Sequence, residues 1–389
     1  MSRPTTRRAA WVSAALLGSV LLAGCGSDGY EPSGPWRAVP EGEPPVVAPP
    51  SQQPPGQAPT DPADPADPGD PAAGDPNVVA TDLAVPTGLV VLPDGSAIVG
   101  ERETGRLLQV FPDRSPAREL MTVPVDTAGD GGLLGLALSP TYTEDGLLYA
   151  YLSTATDNQV VRFPLGGTPN PVFTGIPRGE THNGGGLVFA PDGTLYVGTG
   201  DTGNPALAQD PASLAGKVLA IDGFGQPTVG GDPVFTRGHS DVTALCLGAD
   251  AAVFATDDSA QGLDELDRLV PGGDYGWPAE SPTTADPVTT VAAADGGLGG
   301  CAVTAGTVFL GARDGKRVHI VTLDGNGVPT GEPADVLGDR YGRLRTVVVD
   351  AQGGLWVTTS NRDGAGTPAA DDDKVLRIVA PTSSGDSPL

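Results

Sequence analysis

The sequence predicts an all-β fold, a six-bladed β-propeller with four-stranded blades, over residues 76–380. The main observation is a repeated unit, which consists of an apolar stretch, a turn that often reads Asp-Gly, and a second strand-like run. Six copies follow one another, with turns near Asp94, Asp145, Asp192, Asp250, Gly306 and Gln352. The turns are spaced by about fifty residues, which is the length of a four-stranded propeller blade.

The repeated unit contains short strands and no long helix. In the clearest copy, residues 186–197, two apolar runs flank the turn Pro191-Asp192-Gly193, and a third strand-like run follows at 217–221. No apolar pattern with a period of 3.6 residues extends over the length of a helix. Six copies of this unit therefore predict six blades.

An early strand predicts how the ring closes. Residues 78–83 have the composition of a strand but belong to no copy, whereas the last copy ends at Ala380 without a fourth strand. Pairing the early strand with the last blade would remove an exposed sheet edge. We therefore expect an N-terminal strand to complete the sixth blade.

Residues 1–24 predict a lipoprotein signal peptide. Three arginines precede an apolar run at 9–22, which ends at Ala23-Gly24-Cys25. The run is too short for a stable membrane span, and small residues at its end are typical of a cleavage site. A cysteine at this point matches the bacterial lipobox and predicts a lipid on Cys25. We expect export and attachment to the outer face of the cell membrane through this lipid alone.

The segments at 25–75 and 381–389 are predicted to be disordered. Residues 26–75 are rich in Pro, Gly, Ala and Asp, and they end in four Asp-Pro pairs. Such a segment cannot bury enough apolar surface to offset the entropy lost on ordering, and proline favours an extended chain. We expect a linker that begins at the lipidated Cys25 and a short disordered tail.

The charge balance excludes a nucleic-acid-binding protein. The chain has 48 acidic and 22 basic residues, which gives a net charge of −26. No excess of basic residues is present to neutralise phosphates. The balance is compatible with an exported protein and with cation binding.

Two cysteines, Cys246 and Cys301, lie within the propeller region. They occupy neighbouring positions in the innermost strands of adjacent copies, and these strands lie side by side in a propeller. A disulfide requires Cβ atoms within roughly 3.5–4.5 Å and persists in an oxidising compartment. The two residues either form a disulfide or are two small buried apolar side chains.

Candidate functional residues lie where the chain enters the innermost strands. His182, one of three histidines, precedes three glycines. It is either a general base or a hydrogen-bonded loop residue.

Arg343 and Arg345 are two positions apart at a strand start and share a face. They either bind a polyanion or form salt bridges within a loop. His319 lies in an outer strand, where we expect a surface histidine.

An acidic loop is a candidate cation site. Asp264 and Glu265 precede a turn rich in Gly and Pro at 271–278. Carboxylate and carbonyl oxygens are the ligands that calcium prefers. The loop is either such a site or a solvated turn.

An ordered set of motifs resembles the glucose/sorbosone dehydrogenase family. The motifs occur at 131–138 (GGLLGLAL), 182–185 (HNGG), 191–197 (PDGTLYV), 200–201 (GD), 214–219 (LAGKVL), 264–266 (DEL), 275–278 (YGWP) and 342–345 (GRLR). The resemblance covers residues 80–380. It implies a propeller that oxidises sugars, polyols or related aldehydes with pyrroloquinoline quinone and passes electrons to an external acceptor.

The resemblance also implies roles for individual residues. His182 matches the base that takes the proton of the substrate hydroxyl, and Asp201 matches a residue near the sugar. The positions that match cofactor neighbours are Asp130, Arg313, Arg343 and Arg345. Glu265 and Tyr275 match positions in a structural calcium site.

Three segments depart from the family pattern. One is the approach to the fifth innermost strand, where the family's Trp is absent and the chain reads Ala-Ala-Ala-Asp at 292–295. Where the family reads Gly-His-Arg-Asn-Pro, Ser240 and Asp241 replace the Arg and Asn that contact the quinone. The loop that helps to hold the cofactor's calcium reads Asp-Asp-Ser-Ala at 257–260. Two alternatives therefore stay open. One is a catalytically silent propeller that binds a glycan or a protein at the cell surface, and the other is a calcium-dependent, lactonase-like hydrolase.

Overall fold

Twenty-four strands form six antiparallel sheets in the computed structural model, which describes residues 74–228, 230–259 and 262–380. Each sheet has four strands and forms one blade of a propeller. One short helix, α1 (Tyr142–Asp145), and one 3-10 turn (Pro205–Ala208) interrupt the described strands. The prediction of an all-β, six-bladed propeller is confirmed.

Blades 1 to 5 each take four consecutive strands, with the innermost strand first. Blade 1 contains β2 (Pro86–Val91), β3 (Ala97–Glu101), β4 (Arg106–Val110) and β5 (Arg118–Thr122). Blade 2 contains β6 (Leu133–Leu138), β7 (Leu147–Ser153), β8 (Asn158–Pro164) and β9 (Asn170–Ile176). Blade 3 contains β10 (Leu187–Phe189), β11 (Leu195–Gly198), β12 (Lys217–Ile221) and β13 (Val234–Arg237).

The remaining blades follow the same order. Blade 4 contains β14 (Val242–Leu247), β15 (Val253–Asp257), β16 (Leu263–Arg268) and β17 (Thr289–Ala292). Blade 5 contains β18 (Leu298–Thr304), β19 (Thr307–Ala312), β20 (Arg317–Thr322) and β21 (Ala334–Val336). Blade 6 contains β22 (Leu344–Val349), β23 (Gly354–Thr359), β24 (Val375–Val379) and the early strand β1 (Val78–Ala80).

The strand β1 closes the ring. It pairs antiparallel with β24 at the outer edge of blade 6. The chain that follows exchanges two backbone hydrogen bonds of 3.1 Å between Leu83 and Asp373 before it enters blade 1. The expectation that an N-terminal strand completes the sixth blade is confirmed.

Aspartate side chains fix the hairpin turns between the first two strands of several blades. The Oδ1 atom of Asp94 accepts a hydrogen bond of 2.9 Å from the backbone N–H of Ser96. Asp192 makes the same 2.9 Å contact with Thr194. This local ring mimics a backbone turn, which explains why the Pro-Asp-Gly repeats mark blade positions in the sequence.

The hydrophobic core lies between neighbouring blades. Between blades 1 and 2, Ile98, Leu107, Leu148 and Phe163 are fully buried in one cluster. Each such side chain contributes roughly 1.5–3 kcal/mol on burial. Because both faces of each sheet pack on a neighbour, the loops at the strand ends are the part of the fold that remains free for function.

Innermost strands of adjacent blades are linked across the channel wall. The Oγ1 atom of Thr243 donates a 2.8 Å hydrogen bond to the carbonyl of Leu298, from blade 4 to blade 5. In the same pair of strands, Cys246 and Cys301 form a disulfide with a Cα–Cα distance of 5.7 Å. These links hold the loops at the strand starts in fixed positions.

Several predictions concern residues outside the described part of the chain. The signal peptide at 1–24, Cys25, the linker up to residue 73 and the tail at 381–389 all lie there. Among the described residues, no helix has both the length and the apolar character that a membrane crossing requires.

Candidate active site

The loop that carries His182 is held rigidly above blade 3. The side-chain oxygen of Asn183 accepts a 3.1 Å hydrogen bond from Asn158, and its backbone carbonyl accepts one of 2.8 Å from the Tyr151 hydroxyl. His182 has a φ of 53°, which is rare for a residue with a side chain. A Cβ at position 200 would lie 2.0 Å from the His182 carbonyl, so only glycine fits there.

His182, Asp201 and Trp277 form a chain of hydrogen bonds. The Nδ1 atom of His182 lies 2.8 Å from Oδ1 of Asp201, which is fully buried. The other carboxylate oxygen accepts a 2.9 Å hydrogen bond from Trp277 Nε1. No described residue hydrogen-bonds Nε2 of His182, and a quarter of the side chain is exposed. The ring is therefore fixed at one nitrogen and open at the other.

The negative surroundings favour a protonated imidazole. The hydrogen bond to Asp201 raises the pKa of His182 to about 9 against the opposing effect of burial, and the charges of Asp241 and Asp258 add to the increase. The ring is therefore mostly charged at neutral pH. It becomes a proton acceptor as the pH rises toward 9.

Asp241 connects blade 4 to the His182 loop. Its Oδ1 atom accepts a 2.7 Å hydrogen bond from the backbone N–H of Gly184. Burial raises the pKa of Asp241 to about 7, and the charge of His182 opposes this increase. Asp241 is one of the two residues that replace the family's Arg-Asn pair, so the replaced position contacts the loop of the candidate base.

Two of the predicted cofactor arginines are engaged by carboxylates. Arg343 forms salt bridges with Asp314 and with Asp363, the latter at 2.9 Å. Arg313 forms a salt bridge with Asp258. The sequence left open whether the arginines bind a ligand or form salt bridges, and for Arg343 the structure shows salt bridges.

Arg345 differs from these two arginines. Its side chain is buried, yet its guanidinium has no hydrogen bond or ion pair with any described residue. Burial, together with the positive charges of Arg313 and Arg102, lowers its pKa to about 9. Asp241 interacts electrostatically with Arg345, Arg313 and His182. The arginines and the histidine therefore converge on one mouth of the channel.

Glu265 and Tyr275 line one cavity of about 570 Å³, together with Asp257, Trp277 and Glu280. Burial raises the pKa of Glu265 to about 7, and the charges of Asp257 and Glu280 contribute. The Tyr275 hydroxyl is already engaged, since it donates a 2.7 Å hydrogen bond to the carbonyl of Arg268. A cation in this cavity would therefore meet the carboxylates of Glu265, Asp257 and Glu280 rather than the Tyr275 hydroxyl.

The two remaining candidates have different environments. The side chain of Asp130 is exposed and makes no hydrogen bond or ion pair with the described residues. The expectation that His319 is a surface histidine is wrong. Its side chain is largely buried, with Nδ1 2.6 Å from Asp335 and Nε2 2.8 Å from the carbonyl of Asp295.

Sequence reasoning missed three residues of this site. Trp277 holds Asp201, Asn183 fixes the His182 loop, and Asp241 faces the candidate base. Trp277 and Asn183 occur within the quoted YGWP and HNGG motifs, which was the available signal. The only sequence signal for Asp241 is its departure from the family pattern.

Comparisons with known proteins show which family the chain resembles in sequence and fold. A sequence model described as glucose/sorbosone dehydrogenase matches residues 83–296. The PQQ-bound form of the aldose sugar dehydrogenase from Streptomyces coelicolor is 38% identical, with a TM-score of 0.74, over 77% of this chain and 95% of that chain.

Two more distant relatives complete the comparison. Quinoprotein glucose dehydrogenase B from Acinetobacter calcoaceticus is 27% identical over 251 residues, and the match spans 52% of each chain, about half its length. The apo form of the soluble aldose sugar dehydrogenase from Escherichia coli is 22% identical, with a TM-score of 0.68, over 78% of this chain and 98% of that chain. At that identity the likeness shows the fold alone.

Proposed function

The chain belongs to the glucose/sorbosone dehydrogenase family, and on this basis we propose that it oxidises a sugar, a polyol or a related aldehyde with pyrroloquinoline quinone. The observation that carries the proposal is the His182–Asp201 pair with its open nitrogen, together with Asp241, whose charge acts on both His182 and the buried Arg345. This arrangement combines a proton acceptor with a positive site for an anionic cofactor.

The described residues fit a tricarboxylate cofactor. A buried charge without a partner costs several kcal/mol, so a guanidinium in that state favours an anionic ligand. Arg345 is such a group, and Arg313 and Arg102 are close enough to depress its pKa. Arg345 would hold a cofactor carboxylate, and Arg313 would add positive charge beside it. The bound quinone would accept the hydrogen of the substrate C–H bond together with its electron pair.

His182 would remove the proton of the substrate hydroxyl. Asp201 accepts the hydrogen bond of Nδ1–H, which leaves the lone pair on Nε2 to receive that proton. The same carboxylate stabilises the imidazolium that results. Trp277 holds the second oxygen of Asp201, so the ring keeps one orientation while the substrate reacts.

Calcium would bind in the cavity that Glu265 and Tyr275 line, with the Glu265 carboxylate as a ligand. Both residues line the acidic cavity beside Trp277. A divalent ion there would neutralise Glu265 and fix the turn that carries Trp277. The ion would support the active site from outside the channel.

The proposed location is outside the cell, with the protein anchored through a lipid on Cys25. The sequence from Arg3 to Cys25 supports this proposal. Electrons from the substrate would then pass to an acceptor on the same side of the membrane.

A second candidate function is a silent propeller that binds a glycan or a protein. The observation that favours it is the pairing of Arg313 with Asp258 and of Arg343 with two further carboxylates. These pairs compete with a cofactor for the same guanidinium groups. Under this alternative the channel mouth would keep its salt bridges and bind no quinone.

The test is a titration of the purified protein with pyrroloquinoline quinone in the presence and absence of calcium, followed by dye reduction with a panel of sugars. We expect quinone binding, and we expect His182→Ala to abolish turnover while quinone binding remains. His319→Gln, which changes a histidine outside the His182–Asp201–Trp277 chain, is the matched control and should retain turnover.

Each other outcome has a defined meaning. Full activity of His182→Ala would show that the assigned base is wrong. Absence of quinone binding at every calcium concentration would favour the silent propeller. Hydrolysis of lactones without quinone would instead favour the hydrolase alternative.

A further inference from the structure

A buried cluster of three side chains that could hold a metal ion lies between blades 3 and 4, directly behind the backbone of Asp241. His239 precedes β14, Asp257 ends β15, and Asp267 lies in β16. His239 and Asp267 are fully buried, and Asp257 is nearly so. Nδ1 of His239 lies 3.3 Å from an oxygen of Asp257 and 3.8 Å from an oxygen of Asp267. The three ligand atoms all lie within 4.8 Å of one another.

Several polar atoms of this cluster have no partner in the described chain. Nδ1 of His239 and both oxygens of Asp267 are buried without a hydrogen bond. A buried polar group without a hydrogen bond destabilises the fold unless a ligand supplies the missing contact. The other ring nitrogen, Nε2, lies 2.8 Å from the Thr236 hydroxyl, which can fix the ring with its Nδ1 lone pair directed at the carboxylates. In this tautomer, a cation or a proton must lie between the Nδ1 lone pair and the two carboxylates.

The distances favour a cation as that positive charge. A direct N–H···O hydrogen bond spans about 2.7–3.2 Å, and both separations at Nδ1 are longer. Zinc binds imidazole nitrogen and carboxylate oxygen at about 2.0–2.2 Å, so two ligands of one tetrahedral ion lie roughly 3.3–3.6 Å apart. The 3.3 Å separation matches this value, and the 3.8 Å separation needs only a small movement of Asp267.

We propose that His239, Asp257 and Asp267 bind a divalent first-row transition metal ion, with zinc as the ion that fits best. One imidazole nitrogen and two carboxylate oxygens are a typical ligand set for zinc, and a water molecule would complete four-coordination. Calcium prefers six to eight oxygen ligands, and this cluster offers a nitrogen and too few oxygens. The site is therefore distinct from the calcium position proposed at Glu265 and Tyr275.

The surroundings supply the outer contacts and the access route that such a site needs. The Tyr275 ring stacks on His239 with a centroid distance of 4.8 Å. The Asp257 carboxylate also accepts hydrogen bonds from the backbone of Ser240 and Asp241, at 3.0 and 2.6 Å. Asp257 lines the cavity of about 570 Å³ through which an ion can enter.

The ion would be structural and would act on the active site through Asp241. It would fix Asp257, which holds the backbone of Asp241, and the Asp241 side chain holds Gly184 next to His182. Without an ion, burial and the negative charges of Asp257 and Glu265 raise the pKa of Asp267 well above its usual range. A protonated Asp267 is therefore the competing description of the cluster.

The test measures metal content and needs no quinone. The full-length protein is stripped with EDTA, loaded with zinc, passed through gel filtration and assayed by mass spectrometry. We expect about one zinc per chain and a higher melting temperature than in the stripped protein. His239→Gln and Asp267→Asn should each lower zinc affinity at least tenfold, in line with the loss of one ligand.

Two controls separate this site from the rest of the protein. His319→Gln removes a buried histidine whose nitrogens are both hydrogen-bonded, and it should bind zinc like the wild type. Glu265→Gln should affect calcium binding and leave zinc binding nearly intact. If the cluster variants fail to fold, X-ray absorption at the zinc edge of the wild type should still show imidazole scattering.

Three results would overturn the proposal. The first is a wild-type protein that retains no zinc and shows no change in melting temperature. This result would mean that a proton, and not a metal ion, lies between His239 and the two carboxylates. The second is unchanged zinc binding in both cluster variants. The third is a zinc absorption spectrum without an imidazole ligand.

Discussion

His182 and Asp201 are joined by a hydrogen bond of 2.8 Å in which a fully buried carboxylate holds a partly exposed imidazole. The carboxylate has no freedom to move away, because Trp277 binds its second oxygen at 2.9 Å. The pair therefore stabilises the protonated ring and at the same time fixes the direction of its open nitrogen. This double effect determines how activity should depend on pH.

The first prediction concerns that pH dependence. Asp201 raises the pKa of His182 from its usual value of 6.5 to about 9, so the wild-type kcat/KM should increase as the pH approaches 9. Asp201→Asn removes the main cause of the increase and should shift the rise to lower pH. The variant should also have a lower maximal rate, because the imidazolium loses its stabilising carboxylate. A pH profile measured with saturating quinone tests both effects.

The same pair makes a contribution to stability with a defined sign. Because the folded-state pKa of His182 lies above the unfolded value, the contribution is complete below about pH 6.5 and is lost as the pH rises through about 9. Identical pH profiles for wild type and Asp201→Asn would contradict the assignment of Asp201 as the group that sets this pKa.

The second prediction separates Arg345 from Arg343. Arg345→Gln removes a buried cation that has no hydrogen-bond partner among the described residues. It should weaken quinone binding about tenfold or more, which is the effect of losing one charge-assisted hydrogen bond. The variant should lose little stability. Arg343→Gln instead leaves Asp314 and Asp363 without their partner, and it should lower the melting temperature. Quinone titration and thermal unfolding of both variants measure the contrast. Wild-type quinone affinity in Arg345→Gln would refute the role of this arginine.

Local patterns in the sequence predict the blades, whereas long-range contacts determine the site. The Pro-Asp-Gly turns are visible because Asp94 and Asp192 bond to residues two positions away. The spacing of Arg343 and Arg345 predicts a shared face but cannot show that Asp314, 29 residues earlier, binds Arg343. Similarly, Trp277 lies 76 residues from Asp201 and shows no local relation to it.

The error at His319 has a physical cause of the same kind. Alternation of polar and apolar residues predicts an exposed face when one side of a sheet meets water. In a propeller both faces of a sheet pack on neighbouring blades, so a polar residue in β20 is buried and finds its partners there. The alternation of polar and apolar residues therefore predicts that β20 is a strand, but it does not predict that the His319 side chain is buried.

The third prediction concerns the lipid anchor. Cys25→Ala should block lipidation, because a thioether cannot form without the cysteine sulfur. Protein that is released without the lipid should then move to the aqueous phase of a Triton X-114 extraction, while the wild type enters the detergent phase. Cys246→Ala, which leaves the lipobox intact, is the control. Unchanged detergent partition of Cys25→Ala would contradict the proposed anchor.

The fourth prediction concerns the disulfide between Cys246 and Cys301. The bond joins the innermost strands of blades 4 and 5 and connects residues 55 positions apart. Closing a loop of this length restricts the unfolded chain and contributes about 2–4 kcal/mol to the free energy of unfolding. The double variant Cys246→Ala/Cys301→Ala should therefore unfold at a lower denaturant concentration.

The position of the disulfide allows its effect on stability to be separated from an effect on activity. Both cysteines lie within innermost strands, whereas His182 lies on a loop that precedes such a strand. Turnover by the folded double variant should consequently stay near the wild-type value, while the denaturation midpoint falls. Thiol titration of the denatured, non-reduced wild type provides the direct check. Two reactive thiols from Cys246 and Cys301 would show that the cysteines are small apolar side chains in the channel wall rather than a bridge across it.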